Sequence, residues 1–405
     1  MKIGIDARMF GPKQGGLGRY LQQLILHLEQ LENDSNEYVI FLSKENFNQY
    51  SPAEPQFIEK ENNHPSIPCI EIQKNQRFKK VLADMKWYGW HEQMYLKKII
   101  TKEKIDLMHF PHFNVPFFYD DPFVVTIHDL IMYRYPRQQA STLGPIQYWF
   151  KDKAHRLIVK HAVSCALKII VPSEFTKLEV AKILDVPLEK ISVVSLAPAP
   201  LLVDSSDAVK SIKDKGPKKE LYEMNVAKPY VLYVGNAYPH KNLDMLIKAW
   251  QTYSAKYGNE RQLVLAGRKN FFYSRLINQH NVNENNDIIF IAEPTDQKLN
   301  ILYENADLFV FPSLCEGFGL PPLEAMQYEL PVISSNAACM PEILQDAALY
   351  FDPKSHEDIA RALHIGLSDK TIRDRLNEKA KTILDKYNWH DTAGQTVQIY
   401  NSKKE

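Results

Sequence analysis

The sequence predicts an α/β protein with two doubly wound, Rossmann-like domains that face each other across a cleft. Short apolar runs alternate with segments of helical periodicity in two stretches of the chain, one on each side of residues 201–228. Such alternation is typical of parallel sheets that are covered by helices on both faces. Several apolar runs end in glycines or polar residues, as expected where the strands of an open sheet meet a ligand. A length of 405 residues is sufficient for two domains.

The composition is that of an ordinary globular protein in which positive and negative charges balance. Hydrophobic residues make up 45% and charged residues 24% of the chain, so we do not expect extended disorder. The formal net charge of zero argues against nucleic acid as a partner. The cysteines Cys69, Cys165, Cys315 and Cys339 lack metal-site spacing and are expected to be reduced thiols. No apolar run approaches the roughly 18 residues of a membrane span, and Lys2 opens a strand directly, so we predict a cytoplasmic protein without a signal peptide.

The first set of elements occupies the N-terminal half. Its predicted strands are Lys2–Ile5, Tyr38–Leu42, Leu107–Phe110, Phe123–Ile127, Lys168–Val171 and Ile191–Val194. Apolar residues at steps of three and four predict helices around residues 21–28 and over Arg77–Lys104 (one helix or a pair), Ile146–Ala166 and Glu174–Leu184. Residues 46–76 contain four prolines and are predicted to form a loop.

The second set begins after a segment rich in proline and charge, residues 201–228, which we interpret as the linker between the domains. Its predicted strands are Tyr230–Val234, Leu263–Ala266, Ile288–Ile291, Leu308–Phe311, Val332–Ser334 and Leu349–Phe351. Its predicted helices are Asn242–Tyr253, Phe272–Gln279, Asp296–Asn305, Leu323–Gln327 and Pro341–Leu344, and the pattern stays helical after Ser355. We therefore expect an N-terminal domain at 1–200 and a C-terminal domain at 229–386.

The most informative stretch is Glu316-Gly-Phe-Gly-Leu-Pro-Pro-Leu-Glu324, which follows one predicted strand and precedes a helix. Its two glycines let the backbone approach a ligand and expose N–H donors. Carboxylates beside backbone amides suit a ligand with hydroxyl groups at both ends and an anion between them, as in a nucleotide sugar. Two carboxylates at this spacing are usually a solvated surface, but the complete stretch after a buried strand is a specific signal.

This stretch resembles the Glu-x7-Glu signature of glycosyltransferase family 4, whose members have the two-domain GT-B fold and retain the anomeric configuration. The resemblance covers nearly the whole chain, including Tyr387-Asn-Trp-His-Asp391. It implies that a last helix, within 387–405, crosses back onto the N-terminal domain. It also implies transfer of a sugar from a nucleotide-sugar donor to a glycan or lipid-linked acceptor in polysaccharide or lipopolysaccharide biosynthesis.

Two segments of the N-terminal half contribute further candidate residues. The glycine turn Gly15-Gly-Leu-Gly-Arg19 is, by itself, as typical of a tight loop as of a phosphate site. His128 ends a predicted strand, where it can contact a ligand, although a lone histidine is usually structural. The turn resembles the family's Gly-Gly-x-Gly-Arg loop, which implies that Gly16 lies against the donor phosphates. Thr126-Ile-His-Asp-Leu130 resembles the sugar-contacting segment of mannosyl-type members, which implies a catalytic role for His128.

A further loop, Gly235-Asn-Ala-Tyr-Pro-His-Lys-Asn242, opens a predicted helix whose dipole favours an anion. It resembles the family's Gly-x-x-x-Pro-x-Lys-Asn loop, which implies that Lys241 holds the donor diphosphate beside Gly235 and Asn236. Many relatives carry an arginine beside or shortly before this lysine, and this chain does not. We therefore consider Arg268 as the second cation.

The resemblance also implies a role for each residue of the site. The implied catalytic residues are His128, Lys241 and Glu316. The implied donor-binding residues are Gly16, Gly235, Asn236, Lys241, Arg268, Glu316, Gly317, Phe318, Gly319, Leu320 and Glu324. The lysine and backbone amides would stabilise the departing diphosphate, Glu324 would bind ribose hydroxyls, and Glu316 would bind sugar hydroxyls. No Asp-x-Asp motif follows a predicted strand, so we expect neither a metal nor a cofactor, and the mannosyl-type segments imply GDP-mannose as the donor.

Two other functions remain open at this point. A nucleotide-sugar epimerase of the same fold would need no acceptor, so product analysis distinguishes it from a transferase. A non-catalytic subunit that binds nucleotide sugar would be favoured by loss of Glu316, Glu324 or Lys241, and all three residues are present.

Residues 74–104 form a basic and aromatic stretch. They contain nine Lys or Arg residues against three acidic ones, with Trp87, Tyr88 and Trp90 among them. A stretch of this kind can lie on an anionic membrane surface, which would place the protein at the inner face of the cytoplasmic membrane. The alternative is a helix that packs on the core with one face and exposes its basic side to water.

Overall fold

The computed structural model describes residues 1–50, 77–85, 87, 89–135, 144–198, 217–227, 229–258, 260–280 and 287–402. In these ranges the strands form two sheets in which every pair is parallel, so the predicted fold class is confirmed. The N-terminal sheet contains β1 (Lys2–Asp6), β2 (Glu37–Leu42), β3 (Phe78–Leu82), β4 (Leu107–Phe110), β5 (Phe123–Thr126), β6 (Lys168–Val171) and β7 (Ile191–Val193), in the order β3-β2-β1-β4-β5-β6-β7. The C-terminal sheet contains β8 (Tyr230–Val234), β9 (Gln262–Gly267), β10 (Ile288–Ala292), β11 (Leu308–Phe311), β12 (Val332–Ser335) and β13 (Ala348–Phe351), in the order β10-β9-β8-β11-β12-β13.

Helices connect the strands, as parallel pairing requires. The N-terminal domain contains α1 (Gly15–Gln30), α2 (Lys44–Phe47), α3 (Trp90–Lys102), α4 (Ile131–Arg134), α5 (Pro145–Cys165) and α6 (Glu174–Leu184). The C-terminal half contains α7 (Pro217–Glu223), α8 (Leu243–Tyr257), α9 (Phe271–Gln279), α10 (Asp296–Asn305), α11 (Leu320–Gln327), α12 (Met340–Leu344), α13 (His356–Ser368), α14 (Lys370–Leu384) and α15 (Trp389–Asn401). The helix over 174–184 has Ser173 as its N-cap, whose side chain accepts a hydrogen bond from the Thr176 N–H.

The central strands of both sheets are buried along their whole length. Every residue of β4, β5, β11 and β12 is buried, as expected for parallel strands with helices on both faces. Continuous apolar runs of this kind predicted these strands correctly, because burial of both faces removes the alternation of polar and apolar residues.

The sequence-based prediction of helix over Arg77–Lys104 was wrong for the first part of this range and right for Trp90–Lys102. Residues 78–82 form β3, an edge strand that pairs with β2, and helix α3 starts only at Trp90. Phe78, Val81 and Leu82 suit helical steps, but β3 is covered only in part, so its apolar residues show neither strand alternation nor a continuous run. Lysines within it are typical of a sheet edge.

The two predicted loops lie partly outside the described residues. Of the predicted loop at 46–76, residues 51–76 are not described. Its first residues belong to helix α2, which ends at Phe47. For the linker, residues 201–216 and 228 are not described, and residues 217–223 form helix α7. The domain boundaries that we placed at these segments stay predictions.

The last helix crosses back onto the N-terminal domain, where α15 packs against α1. The Tyr400 hydroxyl lies 2.7 Å from Nδ1 of His109 in β4, and both side chains are fully buried. The Thr392 hydroxyl donates to the Ser195 carbonyl at 2.8 Å. Throughout the described ranges, no helix has both the length and the apolar composition to cross a bilayer.

Candidate active site

The loop from Glu316 to Gly319 joins β11 to α11 at the carboxyl end of the C-terminal sheet. Gly319 is the N-cap of α11 with φ of +92°, in the left-handed region that favours glycine. The helix starts at Leu320, earlier than the predicted Leu323, because two prolines suit a first helical turn. Since proline has no N–H, the donors at this helix start are fewer than usual, and Leu320 supplies one of them.

Lys241 and Glu316 form an ion pair. Nζ of Lys241 lies 2.5 Å from Oε1 of Glu316, and the two side chains are only 13% and 10% exposed. Nζ also lies 5.5 Å from the centre of the Phe311 ring. A lysine in a loop is usually exposed, but Lys241 is mostly buried because the 235–242 loop packs against the start of the 316–319 loop.

Asn242 holds these two loops together. It adopts φ of +62°, and its side-chain amide donates to the Pro312 carbonyl at 3.1 Å and to the Pro353 carbonyl at 2.7 Å. The Leu314 N–H donates to the His240 carbonyl at 2.7 Å. The asparagine that follows the lysine therefore fixes the backbone on which the ion pair depends.

His128 lies beside the same loop, on the N-terminal domain. Its Nε2 donates to the Pro111 carbonyl at 3.0 Å, which assigns the neutral tautomer with Nδ1 as an acceptor. Burial lowers the pKa of His128 to about 4, so the ring is neutral at pH 7. A Cβ on Gly317 would lie 1.8 Å from the His128 carbonyl oxygen, so the two backbones are in direct contact across the domains. The ring therefore suits a hydrogen bond with a sugar hydroxyl better than charge stabilisation.

Glu324 lies on α11, where the Tyr303 hydroxyl donates to its Oε2 at 3.1 Å. Desolvation raises the pKa of Glu324, and the nearby positive charge of Arg19 opposes that rise. Arg19 comes from the N-terminal domain and forms an ion pair with Asp296. Sequence reasoning missed Arg19 as a site residue, although it is the last residue of the glycine turn that contains Gly16.

The glycine turn is the first turn of α1. The helix begins at Gly15 without a side-chain cap, and a Cβ on Gly16 would meet nothing within 4 Å. Open space and uncapped amides at this helix start suit the approach of an anion.

The remaining donor-side candidates lie at the ends of β8 and β9. The Gly235 carbonyl accepts a hydrogen bond from the Tyr273 hydroxyl at 2.9 Å, and the Asn236 carbonyl accepts one from the Tyr233 hydroxyl at 2.8 Å. Arg268 is exposed, and its Nη2 donates to the Lys13 carbonyl at 2.5 Å, across the domains. Arg268 therefore lies close to the glycine turn.

Three interactions connect these residues near the boundary between the domains. Lys241 contacts Glu316, the backbone next to Glu316 contacts His128, and the charge of Arg19 acts on Glu324. Over the ranges listed above, no three His, Cys, Asp or Glu side chains are grouped as they would be to hold a metal ion.

Comparisons with known proteins show the family to which the chain belongs. The family model "Glycosyltransferase Family 4" matches residues 14–197, and "Glycosyl transferases group 1" matches residues 214–383. The chain belongs to glycosyltransferase family 4. It is therefore a hexosyltransferase, and the first match covers β2 to β7 while the second covers β8 to β13.

The family 4 enzyme is similar to several curated relatives and solved structures. It is 27% identical to the O-antigen chain mannosyltransferase B of Escherichia coli, over 73% of this chain and 74% of the relative. It is 28% identical to the O-antigen chain mannosyltransferase RfbU of Salmonella typhimurium, over 70% of each chain. Sucrose-phosphate synthase from Thermosynechococcus elongatus has the same fold, with a TM-score of 0.70 at 18% identity over 99% and 98% of the chains. HepE from Anabaena, solved with UDP and glucose, has a TM-score of 0.63 at 17% identity over 99% of each chain.

Proposed function

We propose that this enzyme is a retaining mannosyltransferase that moves mannose from GDP-mannose to a hydroxyl group of a glycan or lipid-linked acceptor. The acceptor would belong to polysaccharide or lipopolysaccharide biosynthesis, and the support for this is that the named relatives are O-antigen chain mannosyltransferases. The observation that carries the proposal is the Lys241–Glu316 pair in a loop whose backbone adjoins His128. This observation supports a site in which a cation, a carboxylate and a neutral imidazole act at one interdomain position.

In the proposed reaction the anomeric carbon gains positive charge as the nucleoside diphosphate departs. Lys241 and the backbone amides near Gly16 and Leu320 stabilise the negative charge on the leaving phosphate. Glu316 binds sugar hydroxyls and favours the positive ring, and Glu324 binds the ribose. The leaving phosphate takes the proton of the acceptor hydroxyl on the same face, so the configuration is retained.

The residues present fit a reaction without a metal or cofactor. Lys241 supplies a full positive charge where a divalent cation would otherwise be needed beside the diphosphate. We propose that the donor binds and reacts through protein groups alone.

The test of this function is a panel of nucleotide sugars, each incubated with and without acceptor. An epimerase would convert the nucleotide sugar without any acceptor, and a non-catalytic subunit would bind it unchanged. Slow donor hydrolysis without acceptor, and no epimer, are the results expected of a transferase. Formation of an epimerised nucleotide sugar would overturn the proposal.

We expect calorimetric titration to show tighter binding of GDP than of UDP or ADP. The motivation is the pair of mannosyl-type segments around His128 and Lys241, together with the mannosyltransferase relatives. A clear preference for UDP would exclude GDP-mannose as the donor and leave the family unchanged.

We also propose that the N-terminal domain binds anionic membrane surfaces through α3. Its inner face is buried at Leu96 and Ile100, whereas Trp90 is 72% exposed and Lys98 and Lys102 are exposed on the outer side. Trp87 is not part of this surface, because it packs against Arg8. Tyr88 lies outside the described residues.

The apolar surface continues from α3 to α5. The Phe117 N–H donates to the Gln93 side chain of α3, and the Phe117 ring lies 4.5 Å from the His161 ring of α5. Phe118 is also more than half exposed. Exposed aromatic rings beside exposed lysines suit the interface of an anionic bilayer.

Replacing Lys98→Glu together with Lys102→Glu should abolish salt-sensitive pelleting with vesicles that contain phosphatidylglycerol. Each lysine near such a surface contributes about 1 kcal/mol, so the bound fraction should fall at least about tenfold. These lysines are better targets than Lys79, which pairs with Glu103, or Lys80, which donates to carbonyls of its own domain.

The control for this test reverses two exposed lysines of the C-terminal domain, Lys370→Glu with Lys381→Glu. Absence of wild-type pelleting at low salt, or equal pelleting of both variants, would contradict membrane binding through α3.

A further inference from the structure

The N-terminus of α6 in the N-terminal domain is capped by a side chain of the C-terminal domain. The Glu342 carboxylate of α12 accepts hydrogen bonds from the Glu174 N–H at 2.8 Å and the Phe175 N–H at 2.9 Å. The next amide, Thr176, donates to the N-cap Ser173 at 3.1 Å. The first N–H groups of a helix have no partner within it, so Glu342 satisfies two donors that the N-terminal domain leaves open. A carboxylate at this position also interacts favourably with the helix dipole.

The same end of α6 also holds the 316–319 loop. The hydroxyl groups of Ser173 and Thr176 donate to the Gly317 carbonyl, at 2.7 and 3.1 Å. Because the trans peptide is planar, fixing this carbonyl toward α6 makes the Phe318 N–H point to the opposite side. Ser173 and Thr176 of the N-terminal domain therefore orient the Gly317–Phe318 peptide of the C-terminal domain, which directly follows Glu316.

Glu342 and the loop reach α6 as one unit. The Cys339 thiol, just before α12, donates to the carbonyls of Glu316 at 3.3 Å and Phe318 at 3.4 Å. The Met340 side chain packs on Gly319, where a Cβ would lie 2.3 Å from its methyl carbon. A movement that separates α6 from Glu342 would thus also release the Gly317 carbonyl.

We propose that Ser173, Thr176 and Glu342 are positioning residues for sugar transfer, which assemble the 316–319 loop only when the two domains meet. The inference rests on the proposed function, because it assigns these residues to the same site. Closure adds four interdomain hydrogen bonds beside Glu316, whose carboxylate pairs with Lys241. The loop reaches its reactive geometry in the closed arrangement and loses it when the domains part.

The test compares Glu342→Ala with Glu378→Ala, an exposed glutamate on α14 of the same domain. Loss of hydrogen bonds to a charged group should lower kcat about tenfold, while Kd for GDP in calorimetry stays unchanged. Hydrogen exchange of the peptide that contains Glu174 and Phe175 should become faster only in Glu342→Ala. A cap with a purely structural role would lower Tm and leave kcat of the folded enzyme unchanged, and that result would overturn the proposal.

A second pair of variants tests the hydroxyl groups. Ser173→Ala should lose kcat together with exchange protection, and Ser173→Thr, which keeps a hydroxyl group and a cap, should restore both. If wild-type protein transfers no sugar from any nucleotide sugar, the proposed function fails, but hydrogen exchange still decides whether the domains are joined at Glu342. Equal exchange in wild type and Glu342→Ala would overturn the proposal independently of activity.

Discussion

Gly317→Ala is expected to lower sugar transfer by at least about two orders of magnitude, because a misplacement of about 1 Å at a reacting site has an effect of that size. The new Cβ would lie 1.8 Å from the His128 carbonyl oxygen and 3.2 Å from Cβ of Asp129. A backbone atom cannot move aside as a flexible side chain can, so the two domains must separate. Initial rates at saturating donor measure the loss, and X-ray scattering should give a larger radius of gyration for the variant.

The control is Gly394→Ala, on helix α15, where an added Cβ would meet nothing within 4 Å. It makes the same chemical change and should leave both the initial rate of sugar transfer and the radius of gyration as in the wild type. Full activity of Gly317→Ala would mean that the enzyme does not work in the closed arrangement seen here, and our assignment of His128 to the site would be wrong.

Lys241→Ala is expected to lower kcat by about 100-fold, because it removes a preorganised positive charge from the departing phosphate. It should also lower the free energy of unfolding by about 1–3 kcal/mol, since the mostly buried Glu316 carboxylate loses its partner. Steady-state rates and thermal unfolding measure the two effects. Lys248→Ala, which removes an exposed lysine from α8, is the control and should change neither.

Adding Glu316→Gln to Lys241→Ala separates the two effects. The double variant should regain stability, because no unpaired carboxylate remains, but its kcat should stay at least as low as that of Lys241→Ala. If Lys241→Ala keeps its turnover, the cation that serves the phosphate is Arg268, and Lys241→Ala with Arg268→Ala would then show the loss.

Much of the fold could be predicted from the sequence, because strands buried on both faces appear as short apolar runs. The six strands of the C-terminal sheet each lie within one residue or so of their predicted bounds. The edge strand β3 was missed because it is not buried on both faces. It is only partly covered and carries lysines, so its periodicity resembles that of a helix.

The candidate site could be predicted only where its residues are close together in the sequence. Local motifs identified Glu316 and Lys241, but not the ion pair between them, which spans 75 positions. Arg19 was missed because only the glycines of its motif were assigned a role in binding. The bonds from Glu342 to α6 join residues 168 and 167 positions apart, and neither segment contains a local sign of the other.

The packing of α15 has a consequence for the order in which the protein matures on the ribosome. Tyr400 contacts His109, a residue of a central strand in the first sheet, and both are fully buried. The N-terminal half therefore leaves the ribosome with a buried position of its sheet still uncovered, because the residue that covers it lies 291 positions further along the chain. A nascent chain stalled before α15 should expose this surface to chaperones, and resistance of the N-terminal domain to proteolysis should rise once α15 has been translated and has packed against it.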